Sequence, residues 1–408
     1  MPMYKKRTKI TLVILLLLFL ATFIAYLAFE PEIYALEWKP LPEIKDDIGV
    51  SETYLTQYTS AIEQANLNVL QARKKLGVPG MSIAVGVNGK MVWAAGYGYA
   101  DLSTQRPISL ASKFRIGSTS KALTSLLLGE LIESNAIDLD MPITNYLSDL
   151  PQSLNNITSR QLTSHSAGIR NYDICWCLPI SEYYNNNSFD SVSDALDTFI
   201  YDPLLFEPGS QFSYSSYNYT LLSAVLEKVA GNSFVELMQQ RVFTPFNMPN
   251  TGVENDLQST HETVSFYNTG YGYFQESFPV DTSNKLAGGG FVSTPSDLVN
   301  MGNLLLSKKQ LKQSTLQQLF EPQKLTTGEI NSQQYALGWR RSQTNKDFAN
   351  KDPMTFVHHG GTATGNSSLL ILFPEQQIVV SVLINGNIAN FGDLWDTTLD
   401  IAEEFIKD

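Results

Sequence analysis

The hydrophobic pattern changes character several times along the chain, and each change predicts a different element. From Ile10 to Phe29 no charged residue occurs, a run long enough to cross a bilayer as a helix. Residues 30–50 carry Pro31, Pro40 and Pro42 with mixed charges and no sustained period, the pattern of a stalk. Leu55, Ile62, Leu67 and Leu70 then recur at helical spacing. Met81–Val87 and Lys90–Ala95 flank Asn88-Gly89, a pair suited to the type I′ turn of an antiparallel hairpin. Helical spacing dominates to about residue 250, two apolar strand-like runs follow at Ser368–Phe373 and Ile378–Ile384, and Leu394–Ile406 is amphipathic. Strands at both ends with helices between predict an α/β (α+β) fold: an antiparallel sheet flanked by helices, with an inserted helical subdomain at about 120–280. The expected organisation is a basic stub and transmembrane anchor over 1–29, a stalk over 30–50 and one catalytic domain over 51–408.

Charge refines this picture. Lys5, Lys6, Arg7 and Lys9 precede the apolar run and Glu30 and Glu32 follow it, so the N-terminus is expected in the cytoplasm and the body on the far side, periplasmic or extracellular. A cleaved signal peptide is the competing reading, with a shorter apolar core than this one. With 28 basic and 40 acidic side chains the net charge is −12, and no Lys/Arg-rich segment follows the first residues. A nucleic-acid partner is therefore not expected. Two cysteines, Cys175 and Cys177, and four histidines, at 165, 261, 358 and 359, make neither a disulfide framework nor a zinc pattern. No metal or cofactor is expected.

The candidate chemistry begins at Phe114-Arg115-Ile116-Gly117-Ser118-Thr119-Ser120-Lys121, which leads into apolar residues at helical spacing. Three residues is nearly one helical turn, so Lys121 can reach the Ser118 hydroxyl. A lysine whose ammonium is destabilised by burial can take the proton a serine must lose as it attacks. The helix start also offers backbone N–H groups to a developing oxyanion. S-x-x-K occurs once in this chain, about as often as chance allows, and Ser118 alone could be a helix cap.

The motif resembles the S-x-x-K of penicillin-binding proteins and serine beta-lactamases. Glu207-Pro208-Gly209-Ser210-Gln211-Phe212-Ser213-Tyr214-Ser215-Ser216 is similar to the Tyr-x-Asn element of the class C architecture, with Ser216 where asparagine is usual. His359-Gly360-Gly361-Thr362 is similar to its Lys/His-x-Gly strand, and LTSHSAG at 162–168 and LAGGGFVSTPSD at 286–297 also resemble family signatures. GVPG at 77–80, GYAD at 98–101, PGSQF at 208–212 and GW at 338–339 resemble the mitochondrial serine beta-lactamase-like branch.

The resemblance implies Ser118, Lys121 and Tyr214 as catalytic groups. It further implies Ser118, Ser216, His359, Gly361 and Thr362 for substrate and oxyanion, with the N–H groups of Ser118 and Thr362 forming the hole. It implies an acyl-enzyme hydrolase of peptide, amide or ester bonds, and a poor beta-lactamase, because a neutral histidine holds a substrate carboxylate less firmly than lysine. A cell-wall D-Ala carboxypeptidase or penicillin-binding protein, and a non-catalytic membrane scaffold, are the alternatives. His358 would replace His359 in the cleft if the strand register moved by one. His165 reads as a structural loop residue. Asn218 and Asn366 lie in N-x-S/T triplets beside these elements, where a glycan would obstruct the cleft.

Overall fold

The computed structural model describes residues 2–29, 38–43, 49–174, 181–254, 262–345, 348–388 and 390–407. Cys175, Cys177 and His261 lie outside the described residues. In chain order the principal elements are α1 (Pro2–Phe29), β1 (Gly49–Thr53), α2 (Thr59–Leu76), β2 (Gly80–Val87), β3 (Lys90–Asp101), α3 (Ser120–Glu133) and α4 (Tyr217–Ala230). They continue with α5 (Pro295–Leu306), β4 (Arg340–Gln343), β5 (Thr355–Ala363), β6 (Asn366–Phe373), β7 (Ile378–Ile384) and α6 (Phe391–Lys407).

One antiparallel sheet runs in the order β4-β5-β6-β7-β2-β3-β1, so strands from the two ends of the chain interleave. The β2–β3 turn is built by Asn88 (φ 52°) and Gly89 (φ 76°), the two positive φ values that a type I′ turn requires. Period-two alternation then gives the sheet two buried faces. In β6, Leu369, Ile371 and Phe373 enter one apolar cluster, while Leu370 and Leu372 enter another. In β7, Ile378, Val380, Val382 and Ile384 join the first and Val379 and Leu383 the second.

The first cluster is closed by α2, through Ala61, Ala65 and Val69, and by α6, through Leu394, Ile401 and Phe405. Stripes at i, i+4, i+8 in α2 and at i, i+7, i+11 in α6 each keep to one helix face, as a sheet-covering helix needs. Gly77, in left-handed conformation (φ 61°), ends α2 and turns the chain into β2. The second cluster takes in α3, α4 and α5. Thr294 caps α5 by accepting from the Asp297 N–H, with Pro295 as its first residue, so the polar end of the STPSD motif is a helix start.

Helix α1 holds one segment, Lys9–Tyr26, long and apolar enough to cross a membrane, and its described side chains contribute nothing to either core cluster. By length and composition it is a membrane anchor or a signal sequence.

Candidate active site

Ser118 sits in the single 3₁₀ turn Gly117–Thr119 that opens α3. Gly117 adopts φ 48°, and a Cβ there would meet the Thr362 backbone within 2.6 Å of its carbonyl oxygen. Only glycine lets the helix start approach β5 this closely. Gly361 has the same function from the other side, since a Cβ on it would overlap the Ile116 carbonyl and lie 2.9 Å from the Ser118 nitrogen. The main-chain nitrogens of Ser118 and Thr362 are thus brought to one corner. Thr119 Oγ1 and Ser368 Oγ, 2.9 Å apart, bond to the His359 and Ile116 carbonyls and stitch the helix start to the strands.

Lys121 is fully buried one turn on. Its Nζ lies 3.2 Å from Ser118 Oγ, 3.1 Å from Ser216 Oγ and 2.5 Å from the Gly288 carbonyl. A neutral amine has two N–H donors and one lone pair. Donation to Gly288 O and Ser216 Oγ leaves the lone pair for the Ser118 O–H. Burial, followed by the positive charge of Arg340, holds the Lys121 amine well below the ordinary lysine range. Serine at 216 is therefore more than a shortened asparagine, because its hydroxyl orients the amine.

Tyr214 stands against this amine, its ring centroid 4.9 Å from Lys121 Nζ. Burial pushes its phenol up to about 12, against a smaller lowering by a hydrogen bond with Ser118. At neutral pH the proton therefore resides on the phenol, while the amine gives up its own more readily than an ordinary lysine. The ring of His165 packs on Tyr214 at 4.1 Å between centroids, and its backbone is left-handed (φ 60°). His165 Nδ1 accepts from the Ser215 N–H at 3.2 Å and lies 3.2 Å from Asn218 Nδ2, so the ring fixes the loop that carries Tyr214 and Ser216. This places the LTSHSAG histidine in contact with a candidate site residue. Asn218 and Asn366 are fully buried, which leaves neither side chain accessible to a glycosylating enzyme.

Strand register decides between the adjacent histidines. His358 packs edge-on to Trp395 of α6 at 4.6 Å and bonds Ser342 Oγ at 3.1 Å, on the far side of the sheet. His359 faces the Lys121 side and is 1% exposed. Its Nδ1 lies 2.7 Å from the Gly360 carbonyl, which can only accept, so Nδ1 carries the proton and Nε2 accepts the Tyr335 hydroxyl at 2.9 Å. Burial, with Lys121 and Arg340 nearby, holds the His359 imidazole well below its usual value and neutral. The ring expected to meet a substrate carboxylate is thus occupied by Tyr335.

The cation that does reach this wall is Arg340, whose guanidinium carbon lies 5.7 Å from the Tyr214 ring and 5.2 Å from the Tyr335 ring. Gly338 (φ 84°) turns the chain against the Lys121 carbonyl, and Trp339 Nε1 donates to Ser125 Oγ of α3 at 2.9 Å. The GW pair therefore seats β4 on α3 and delivers Arg340. The sequence carried that signal in the pair itself, one residue before the arginine.

On the opposite side Ser118 opens into a recess lined by Ser216, Gly288, Thr362, Tyr172, Tyr183, Arg115 and Lys285. Arg115 is paired with Glu254 at 2.8 Å. Lys285 Nζ donates to the Tyr183 carbonyl at 2.9 Å between the rings of Tyr172 and Tyr183, and burial lowers its ammonium to about 8.

A beta-lactamase family model matches residues 66–403. The human mitochondrial serine beta-lactamase-like protein LACTB is 28% identical, over 86% of this chain and 81% of its own length. Protein flp of Staphylococcus aureus (strain MRSA252) is 28% identical, over 76% of this chain and 60% of its own. Two solved structures share the fold. The octameric penicillin-binding protein homologue from Pyrococcus abyssi aligns with TM-score 0.69 at 19% identity, over 85% of this chain and 77% of the other. The D-amino acid amidase from Ochrobactrum anthropi SV3, complexed with D-phenylalanine, aligns with TM-score 0.70 at 21% identity, over 86% and 99%. With a match that spans both the sheet and the Ser118–Lys121 corner, the chain belongs to the beta-lactamase family of serine hydrolases.

Proposed function

We propose that this protein hydrolyses peptide or amide bonds through an acyl-enzyme on Ser118, with Lys121 as general base and Tyr214 as proton relay. The observation that carries the reading is the buried Lys121 amine, held between Ser118 Oγ, Ser216 Oγ and the Gly288 carbonyl, with its hold on a proton weakened by burial and Arg340. The amine takes the Ser118 proton as Oγ bonds to the substrate carbonyl carbon. The oxyanion that forms accepts from the N–H groups of Ser118 and Thr362. Tyr214, a phenol at neutral pH, passes a proton to the departing amine and is reprotonated from Lys121. Water then enters and loses a proton to Lys121 as its oxygen bonds to the acyl carbon; the Oγ–acyl bond breaks, the acid departs, and Lys121 returns the proton to Ser118 Oγ.

His359 acts in this scheme as a neutral brace between Tyr335 and β5, and Gly361 as the gap that admits the helix start. The Ser118–Lys121–Tyr214 set and its supporting contacts disfavour a scaffold. A fluorophosphonate probe tests the reading: labelling that is lost in Ser118→Ala supports it, and a chain that resists the probe while folded would overturn it. We also infer that α1 anchors the protein with its basic end in the cytoplasm and the catalytic body on the opposite side, supported by Lys5, Lys6, Arg7 and Lys9 ahead of the apolar run. A reporter fused after Asp408 should be active outside the cytoplasm, and cytoplasmic activity would reverse the orientation.

A further inference from the structure

Outside the cleft, the most exposed aromatic side chain among the described residues is Tyr271, at 103%, and it does not stand alone. It begins the two-residue turn Tyr271-Gly272 (φ 51° and 80°) of the hairpin formed by Tyr267–Gly270 and Tyr273–Glu276. Tyr273, at the same tip, is 48% exposed. The first described segment after α1 is hydrogen-bonded along this hairpin: Lys39 opposes Phe274, Pro40 opposes Tyr273, and the Leu41 N–H donates to the Gly272 carbonyl at 2.8 Å. Trp38 begins that segment at 39% exposure, with Lys39 also exposed. Two distant parts of the chain thus pair, and exposed Trp38 and Lys39 run alongside the strand that follows the Tyr271-Gly272 turn.

This pairing is tied to α1 by a short connection. From Phe29 to Trp38 there are nine residue steps (38 − 29), which span at most about 30 Å when fully extended. Wherever the body stands relative to the helix, Trp38 stays within that reach of its end, and Leu41, bonded to Gly272 at the hairpin tip, within twelve residue steps (41 − 29), about 40 Å. Tryptophan and tyrosine favour the headgroup region of a bilayer, where the ring meets acyl chains and the polar tip meets water. A lone exposed tyrosine would need no explanation. A neutral aromatic tip on a chain of net charge −12, joined to the first segment beyond an apolar helix, does.

The base of the hairpin also borders the cleft. The Tyr267 N–H donates to the Gly365 carbonyl at 3.2 Å, one residue beyond Thr364 of the Ser118 recess. Phe266 lies under the Arg115 guanidinium at 3.9 Å, and Arg115 lines the same recess. From Tyr267 to Tyr271 is four strand steps, about 13 Å.

We propose that the Tyr267–Glu276 hairpin, with Trp38 and Lys39, seats on the headgroup layer of the bilayer crossed by α1, and so holds the mouth of the Ser118 cleft at the membrane surface. This rests on reading α1 as a retained anchor. The substrates it favours are then chains presented at the membrane surface in preference to freely diffusing ones.

The test uses the full chain in liposomes, with Cys175 and Cys177 replaced by serine and one polarity-sensitive fluorophore at Tyr271→Cys or Lys90→Cys. Lys90 is exposed at the opposite end of the sheet, beside the Asn88-Gly89 turn. The fluorophore at 271 should be quenched by lipids spin-labelled near the headgroup and the one at 90 should not. In Tyr271→Ser/Tyr273→Ser, Ser118 should react about fivefold more slowly with a fluorophosphonate carried on a membrane-resident acyl chain, and at an unchanged rate with a water-soluble one. Equal, unquenched emission at both positions, from protein that resists alkaline carbonate extraction, would overturn the hairpin contact and leave the anchor standing. Protein released by carbonate, or a mature chain beginning after residue 29, would remove the anchor and the contact with it.

Discussion

The two faces of the central sheet are built from the same strands and differ in what they bury. Toward α2 and α6 the interior is mainly aliphatic and aromatic, from Val69 and Ile83 through Ile371 and Val380 to Leu394 and Ile401. Toward α3 and α4 the same sheet borders a fully buried lysine, two fully buried imidazoles, at 165 and 359, and the phenols of Tyr219 and Tyr335. His358 and His359 mark the boundary, since one residue step along β5 moves a ring from Trp395 to Tyr335. The first face maximises apolar burial. The second gives up some of that stabilisation to keep an amine unprotonated. Stability and chemistry are therefore separable by substitution.

The largest effect is expected at the nucleophile. Ser118→Ala should lower turnover by about 10⁴-fold or more and abolish probe labelling, while the unfolding midpoint in denaturant stays near the parent value. Lys121→Met should cost about 10²–10⁴-fold in kcat, the usual range for loss of a general base. It should also raise stability, by about 1–3 kcal/mol, because a buried amine gives way to an apolar chain of similar length. Measuring both quantities on one variant is the sharpest test: a Lys121→Met protein that is inactive and less stable would mean that the amine holds the fold together.

On the other face the signs reverse. Ile401→Ala, fully buried in the first cluster, should destabilise by about 2–5 kcal/mol in urea unfolding and leave kcat/KM within about twofold at a temperature where the variant is folded. A large loss of kcat in the folded variant would show that the two faces are coupled through the sheet.

Much of this division was legible in the sequence where it depended on local spacing. The Ser118–Lys121 separation is one turn, the Asn88-Gly89 pair specifies its own turn, and the apolar runs that became β6 and β7 are nearly continuous, as strands buried on both faces require. What was not legible depends on long-range placement. Tyr335 and Arg340 reach the site only because Gly338 and Trp339 dock on α3, more than two hundred residues earlier in the chain. His165 reads as a structural loop residue because the site already has its base; its packing on Tyr214 joins two separate loops and so was not legible in its own segment. The recess positions of Arg115 and Lys285 were likewise not legible, although Arg115 stands inside the Phe114–Lys121 motif and Lys285 directly before Leu286.

The neutral state of Lys121 has a pH signature. Activity should rise with pH as the ammonium loses its proton and reach its plateau well below 10.5, because burial and Arg340 lower the Lys121 value. Arg340→Leu removes the smaller of these two influences, so the rising limb should move up by about one unit. An unmoved limb would place its origin elsewhere. Stability responds in the same direction. Between about pH 8 and 10.5 an unfolded chain keeps at Lys285 a proton that the folded chain has lost, so folding is favoured progressively as pH rises through that window. Lys285→Met should flatten that slope.

The smallest effect is expected where the polar face is braced. Tyr335→Phe removes the hydroxyl that His359 Nε2 accepts at 2.9 Å and keeps the ring that packs on His165 and Tyr214. If His359 only braces β5, the loss is one buried hydrogen bond with its acceptor left unpaired, about 1–3 kcal/mol of stability and a fall in kcat of under tenfold. If instead the freed imidazole turns toward the cleft, it becomes available to a substrate carboxylate, and KM for a carboxylate-terminated peptide should fall while that of its amide stays fixed. The split between stability and KM therefore decides whether His359 belongs to the architecture of the site or to its specificity. A variant unchanged in both would mean that the Tyr335 hydroxyl contributes to neither.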